Sequence, residues 1–162
     1  MKPYHIYTYP DPILKKISEP VQRIDAEFRT FIKDLDEIMH QQPGGIGIAA
    51  PQVGVLKCVI IIDVSRKIQG KAQLVMINPV ITAESDFRIF REGCMSIPDF
   101  TANVRRANTI KVEWFDLDMK VNRIETDGLE AVCIQHEVDH LNGILFLDRV
   151  SSLKIDVFRR KK

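Results

Sequence analysis

No apolar run in this sequence approaches the roughly 20 residues that a membrane-spanning helix needs. The longest, Cys58-Val59-Ile60-Ile61-Ile62, is the length of a strand. The start, Met1-Lys2-Pro3-Tyr4-His5, lacks the apolar stretch of a secretory signal. These absences argue against a membrane or secreted protein and make a cytoplasmic one the expectation, with organellar origin open. An excess of one charge is missing too: 23 Lys and Arg stand against 22 Asp and Glu, a net charge of +1. No global field therefore draws the chain to nucleic acid or anionic lipid, and sequence-specific nucleic-acid binding is not expected. The one charge block, Arg159-Arg160-Lys161-Lys162, reads as a solvated basic tail. Cysteine is scarce. Cys58, Cys94 and Cys133 are odd in number and lack disulfide-framework spacing, so they read as free thiols or metal ligands. Repeats, low-complexity tracts and linkers are absent as well, so residues 1–162 read as a single catalytic-sized domain with a short tail.

What is present has an order. Pro3, Pro10, Pro12 and Pro20 make residues 1–22 an extended wrapping arm with turns. Asp25 caps a helix to about His40, with Phe28, Phe31, Ile32, Leu35, Ile38 and Met39 at helical period; Pro43-Gly44-Gly45 stops it. Residues 57–64 form a β-branched strand, and 73–82, 87–91 and 109–117 read as further strands. Asp127-Gly128 marks a turn, a helix spans about 129–141, and Asn142-Gly143 ends it. Strands not separated by helices make the class α+β.

His136-Glu137-Val138-Asp139-His140 matches H-E-x-x-H. Residues four apart on a helix point the same way, so both imidazoles reach one metal ion. Glu137, about 100° round the helix, sits beside that ion as general acid/base rather than ligand. The helix is otherwise apolar (Leu129, Val132, Ile134, Leu141), so these polar groups are buried and need partners. A catalytic site wants a third ligand. Cys133 lies roughly 7 Å of helix rise from the metal level, which a thiol cannot comfortably span, so it reads as a small apolar residue beside the site. Cys58 reads as core. Cys94, in Arg91-Glu92-Gly93-Cys94-Met95-Ser96, is one candidate, with Glu92 and Asp99 as alternatives. Asp139 is expected to accept a hydrogen bond from Arg105 or Arg106 and so fix the helix.

Three segments carry a family resemblance. Gly45-Ile46-Gly47-Ile48-Ala49-Ala50-Pro51-Gln52 resembles the G-x-G-x-A-A-x-Q motif of the peptide deformylases. Glu92-Gly93-Cys94-Met95-Ser96 resembles their E-G-C-L-S motif, and Gln135 to Gly143 their Q-H-E-x-D-H-L-x-G motif, all in the family's order and spacing. Tyr9-Pro10-Asp11-Pro12-Ile13-Leu14 is similar to the family's start, so the resemblance covers residues 5 to about 150.

The resemblance implies mixed or antiparallel sheets packed around a central helix that carries the H-E-x-D-H motif. It implies removal of the N-formyl group from the N-terminal methionine of nascent polypeptides, with release of formate. Cys94, His136 and His140 would hold one divalent ion, ferrous iron in the usual physiological case, with zinc, nickel or cobalt accepted. Glu137 would be the general acid/base, and the Gln52 amide with the Met95 backbone N–H would bind the formyl oxygen. Gly45 and Gly47 would let the peptide approach as an added strand. Ile48, Leu129, Val132 and Cys133, with Phe90, would line a methionine pocket. Two features depart from the family pattern. Met95 stands where the family has Leu, a nearly volume-conserving change. The tail after Leu153 is short where many members extend a helix to the ribosome, so a transient ribosome contact would not run through it. Alternatives to this reading are a zinc endopeptidase of the H-E-x-x-H type and a catalytically silent metal-binding paralogue.

Overall fold

A computed structural model describes residues 4–161; Met1–Pro3 of the expected arm and Lys162 of the expected tail lie outside the described residues. Among the described residues, two α-helices, α1 (Ala26–Gln41) and α2 (Gly128–Leu141), accompany six strands. The strands are β1 (Gly47–Ala49), β2 (Val59–Ile62), β3 (Leu74–Cys94), β4 (Ile97–Phe115), β5 (Val121–Asp127) and β6 (Val157–Arg159). They form a sheet in the order β1-β2-β3-β4-β5, with β6 also paired to β4, and every pairing between them is antiparallel. The α+β class and the central motif-bearing helix are as expected.

The pleat explains why β2 is an unbroken β-branched run. Val59 and Ile61 face the layer that holds Phe31, Ile32, Leu35 and Met39 of α1. Ile60 and Ile62 face the layer that holds Ala131, Cys133 and Ile134 of α2. A strand covered on both faces needs no polar alternation. β1 obeys the same rule: Ile48 goes to the α1 layer and Ala49 to the α2 layer.

The expected strands at 73–82 and 87–91 are one 21-residue strand, and that at 109–117 is the end of a 19-residue one. Polar Glu84-Ser85-Asp86 hid the continuity; Asp86 takes a left-handed φ of 56° inside the ladder. From Ala83 to Ile89 β3 is exposed, with Glu84, Asp86 and Arg88 along it, as a protected edge requires. Strands β1, β5 and β6 were not expected. β1 and β6 have three residues each, and β5 is largely polar on a half-exposed ladder.

The arm wraps as expected and does more than cover surface. Its backbone N–H groups at Tyr7, Tyr9 and Ser18 donate to the carbonyls of Gln52, Ser96 and Leu141, each 2.8 Å. It thereby ties together the three segments that carry the motifs. The basic residues Arg159, Arg160 and Lys161 are exposed, while the backbone that carries them is docked. Val157–Arg159 pairs with Phe100–Ala102 of β4, and the Arg160 N–H donates to the Asp99 carbonyl at 2.8 Å.

Candidate metal centre

The site gathers three segments around α2. Eleven of its fourteen residues are buried, the polar ones included. Such a helix is held by specific partners rather than by an apolar stripe. Gln135 donates to the Ala107 carbonyl at 2.8 Å and accepts from the Ala107 N–H at 3.1 Å, which docks α2 on β4. The next residue, His136, and His140 one turn beyond it bring their ring centroids to 5.1 Å. Cys94, the last residue of β3, meets them: its Sγ lies 3.3 Å from His140 Nε2. The donor atoms of Cys94, His136 and His140 all fall within 4.8 Å of one another, and all three residues are buried. No other group of three His, Cys, Asp or Glu side chains converges so among the described residues.

Glu92 is not a ligand. It lies two residues before Cys94 on β3 and shares its buried face, and both its oxygens are engaged elsewhere. Oε1 accepts from His136 Nδ1 at 2.8 Å and from Arg106 at 3.0 Å; Oε2 accepts from Arg106 Nε at 2.7 Å. This fixes the ring of His136 and leaves Nε2 for the donor cluster, the usual device behind a ligating histidine. Asp99 is exposed beyond the turn and outside the cluster. Asp139 accepts from Arg106 at 2.6 Å and from Arg149 at 2.5 and 2.7 Å. Arg105, the other expected partner, instead stacks over Phe87 at 4.3 Å. Two roles were missed by sequence reasoning. The alternation that puts Glu92 on the Cys94 face was readable as a sign of its support for His136; nothing in the pattern marks Arg149.

The electrostatics separate two carboxylates. Burial opposes charge on Glu92, but hydrogen bonds and charge from His136 and Arg106 outweigh it and hold the carboxyl at about 2. Burial pushes Glu137 up to about 7; Glu92 and Asp139 add to this, against His136 and Arg106. One oxygen of Glu137, Oε2, is buried with no hydrogen-bond partner. Burial likewise works against a charged His136, yet the Cys94 sulfur, Glu92 and Glu137 raise its pKa well above the ordinary value, while burial and the charges on His136 and Arg106 lower that of His140. A buried sulfur and two imidazoles whose donor atoms converge within 4.8 Å suit a divalent ion. Thiolate with imidazole fits iron, zinc, nickel and cobalt alike.

A cleft of about 550 Å³ opens onto this cluster. Gly45, Gly47, Gln52, Met95, Leu129, Val132 and Cys133 all line it. Ile48 and Phe90 do not: the pleat of β1 turns Ile48 away into the α1 layer, where it is fully buried. Gly47 has a packing reason of its own. A Cβ there would lie 2.6 Å from Cys133 Sγ and 2.9 Å from Glu137 Oε1, so β1 could not rest on α2. Gln52 accepts from the Ala49 N–H at 3.0 Å and donates to Ser96 Oγ at 3.1 Å, its amide nitrogen 3.7 Å from Cys94 Sγ. Cys133 is a buried thiol whose pKa burial raises well above the ordinary range, apart from the ligand cluster.

A buried H-E-x-x-H helix, a converging thiol and an unpartnered carboxyl beside them define a metal-dependent hydrolase. The polypeptide deformylase family model matches residues 3–156. A peptide deformylase of Brucella suis is 46% identical over 153 residues, 94% of this chain and 87% of that one. The crystal structure of a Synechococcus elongatus peptide deformylase in complex with actinonin superposes with a TM-score of 0.86 at 40% identity, over 94% of this chain and 81% of that one. One from Legionella pneumophila gives 0.87 at 39%, over 93% and 88%. The chain belongs to the polypeptide deformylase family and has peptide deformylase activity.

Proposed function

We propose that Glu137 is the proton-transfer group and that Gln52 and Met95 are the oxyanion donors for the removal of formyl groups from N-formylmethionyl nascent peptides. The observation that carries this is the buried Glu137 carboxyl, unpartnered at one oxygen and held up to about 7, beside Cys94, His136 and His140. Cys94, His136 and His140 would hold a divalent ion, ferrous iron in our reading, which would supply Lewis acidity there. Glu137 takes the proton of the attacking water and returns it to the leaving amine; a pKa near the working pH suits both steps. The Gln52 amide, oriented by the Ala49 N–H, and the Met95 N–H receive the oxygen of the formyl carbon as it gains charge. Leu129, Val132 and Cys133 offer the methionine side chain apolar wall. β1 is paired on one side only, by β2, so the Gly45–Gly47 margin of the cleft is free to add the peptide as a strand.

We take the protein to act as one domain in the cytoplasm; no helix among the described residues is long and apolar enough to cross a membrane. With β6 tied to β4, a transient ribosome contact would fall to another surface.

The test is formate release from formyl-Met-Ala-Ser by the metal-loaded chain. Glu137→Ala is expected to lower kcat/KM by roughly 10²–10⁴ while metal stays bound. An undiminished rate in that variant sinks the assignment. Metal analysis after anaerobic purification decides between iron and zinc.

A further inference from the structure

The end of the chain reaches the cleft. β6 alternates: Val157 packs against the cluster of Leu14, Cys94 and Phe146, while Phe158 and Arg160 point the other way. That outer face also carries Arg91 and Gly93 of β3. Arg91 lies over the Phe158 ring at 3.9 Å and donates to Asn103 at 3.0 Å, which fixes both Arg91 and the register of β6. Two residues on, the Arg160 guanidinium occupies the space beside Gly93 that any side chain there would fill. Arg160 lines the cleft, as do Arg91 and Lys67. Among the described residues the only carboxylates on the same wall are Glu92, taken by Arg106 and His136, and Glu137 beside the metal ligands. Among the described residues Arg160, Arg91 and Lys67 have no carboxylate partner. The rim is therefore cationic although the chain is nearly neutral.

We propose that Arg160 is a specificity-determining residue whose guanidinium, seated against Gly93 at the rim of the cleft, selects formylated peptides with an acidic side chain shortly after the methionine. Arg91, already bound to Phe158 and Asn103, and Lys67 contribute to the field; Arg160 is the donor free to form a paired contact. This rests on reading the cleft as the peptide channel.

The test compares kcat/KM for formyl-Met-Ala-Glu-amide, formyl-Met-Ala-Gln-amide and formyl-Met-Ala-Lys-amide with the metal-loaded full chain at low salt. Amidation removes the terminal carboxylate, so a preference lost on amidation would come from the chain end and overturn the proposal. The glutamate peptide is expected to be favoured over the glutamine peptide about fivefold, the range of a partly exposed ion pair, through KM rather than kcat. Arg160→Gln should bring that ratio near one, Arg160→Lys should keep part of it, and Arg160→Glu should favour the lysine peptide. A merely structural Arg160 would change all three peptides equally and leave the ratio unmoved; that result overturns the proposal. So does a wild type without preference. If the wild type releases no formate from the glutamine peptide, the channel reading fails with it, and the two failures are told apart.

Discussion

The two helices hold their places by opposite means. α1 buries four of sixteen residues in one stripe, flanked by half-buried Phe28 and Ile38, and turns its opposite face to water. Its N-terminus is capped by Asp25, which accepts from the Phe28 N–H at 2.8 Å. α2 buries nearly all of its surface, and Asp127 at its start makes no capping bond. It is held by Gln135 on the β4 backbone and by Glu92, Arg106, Asp139 and Arg149, a chain of alternating charges that runs from the interior to exposed Arg149. A helix that only shapes the core rests on transferable hydrophobic contact. One that presents ligands and a proton carrier needs orientation, which directional polar contacts supply.

Substitutions in the two helices' surroundings should therefore fail differently. Arg106→Met leaves Glu92 buried without its main partner and Asp139 with Arg149 alone. It should cost about 3–5 kcal/mol and lower metal affinity roughly 10–100-fold. Leu35→Ala, in the fully buried stripe of α1, should cost about 2–5 kcal/mol by cavity formation yet leave the affinity of the folded protein unchanged. Chemical denaturation with metal titration checks both, and a Leu35→Ala protein with weakened metal binding would erase the distinction.

pH should act through the α2 network in two directions. Glu92, depressed to about 2, contributes stability that is complete above the ordinary value of 4.5 and lost as pH falls through about 2. Glu92→Gln should flatten that acid limb, worth about 3 kcal/mol at most. Glu137, raised to about 7, has the reverse sign: its relative contribution is greatest below 4.5 and is withdrawn as pH rises through about 7. Metal-free Glu137→Gln should then gain melting temperature at pH 8 and little at pH 4. The smallest effect sits at the caps. Asp25→Ala should cost about 1 kcal/mol, and Asp127→Ala a few tenths or less. Equal losses at the two would mean that Asp127 caps in solution.

The same contrast decides how much could be read from the sequence. α1 was legible because its stripe repeats at helical period from Phe28 to Met39. α2 was legible through its motif, since burial on all sides leaves little periodicity to read. The convergence of Cys94 with the two histidines was reached by resemblance, because the pairing that brings β3 to α2 is long-range. Ile48 was assigned to the pocket because a three-residue strand offers no pattern from which to read its face. The docking of the basic end was not read because Val157–Arg159 is only three residues long; its pairing with β4 makes it a strand. Arg149 lies in an irregular stretch after α2, where no spacing rule applies.

Arg149 also follows Cys94, His136, His140 and Arg106 in the order of synthesis. Asp139 shares its carboxylate between Arg106, made before α2, and Arg149, made after it. While this chain is still leaving its own ribosome, the histidine-bearing helix can form before its second anchor exists. The residues that would hold the ion thus precede the one that completes their support.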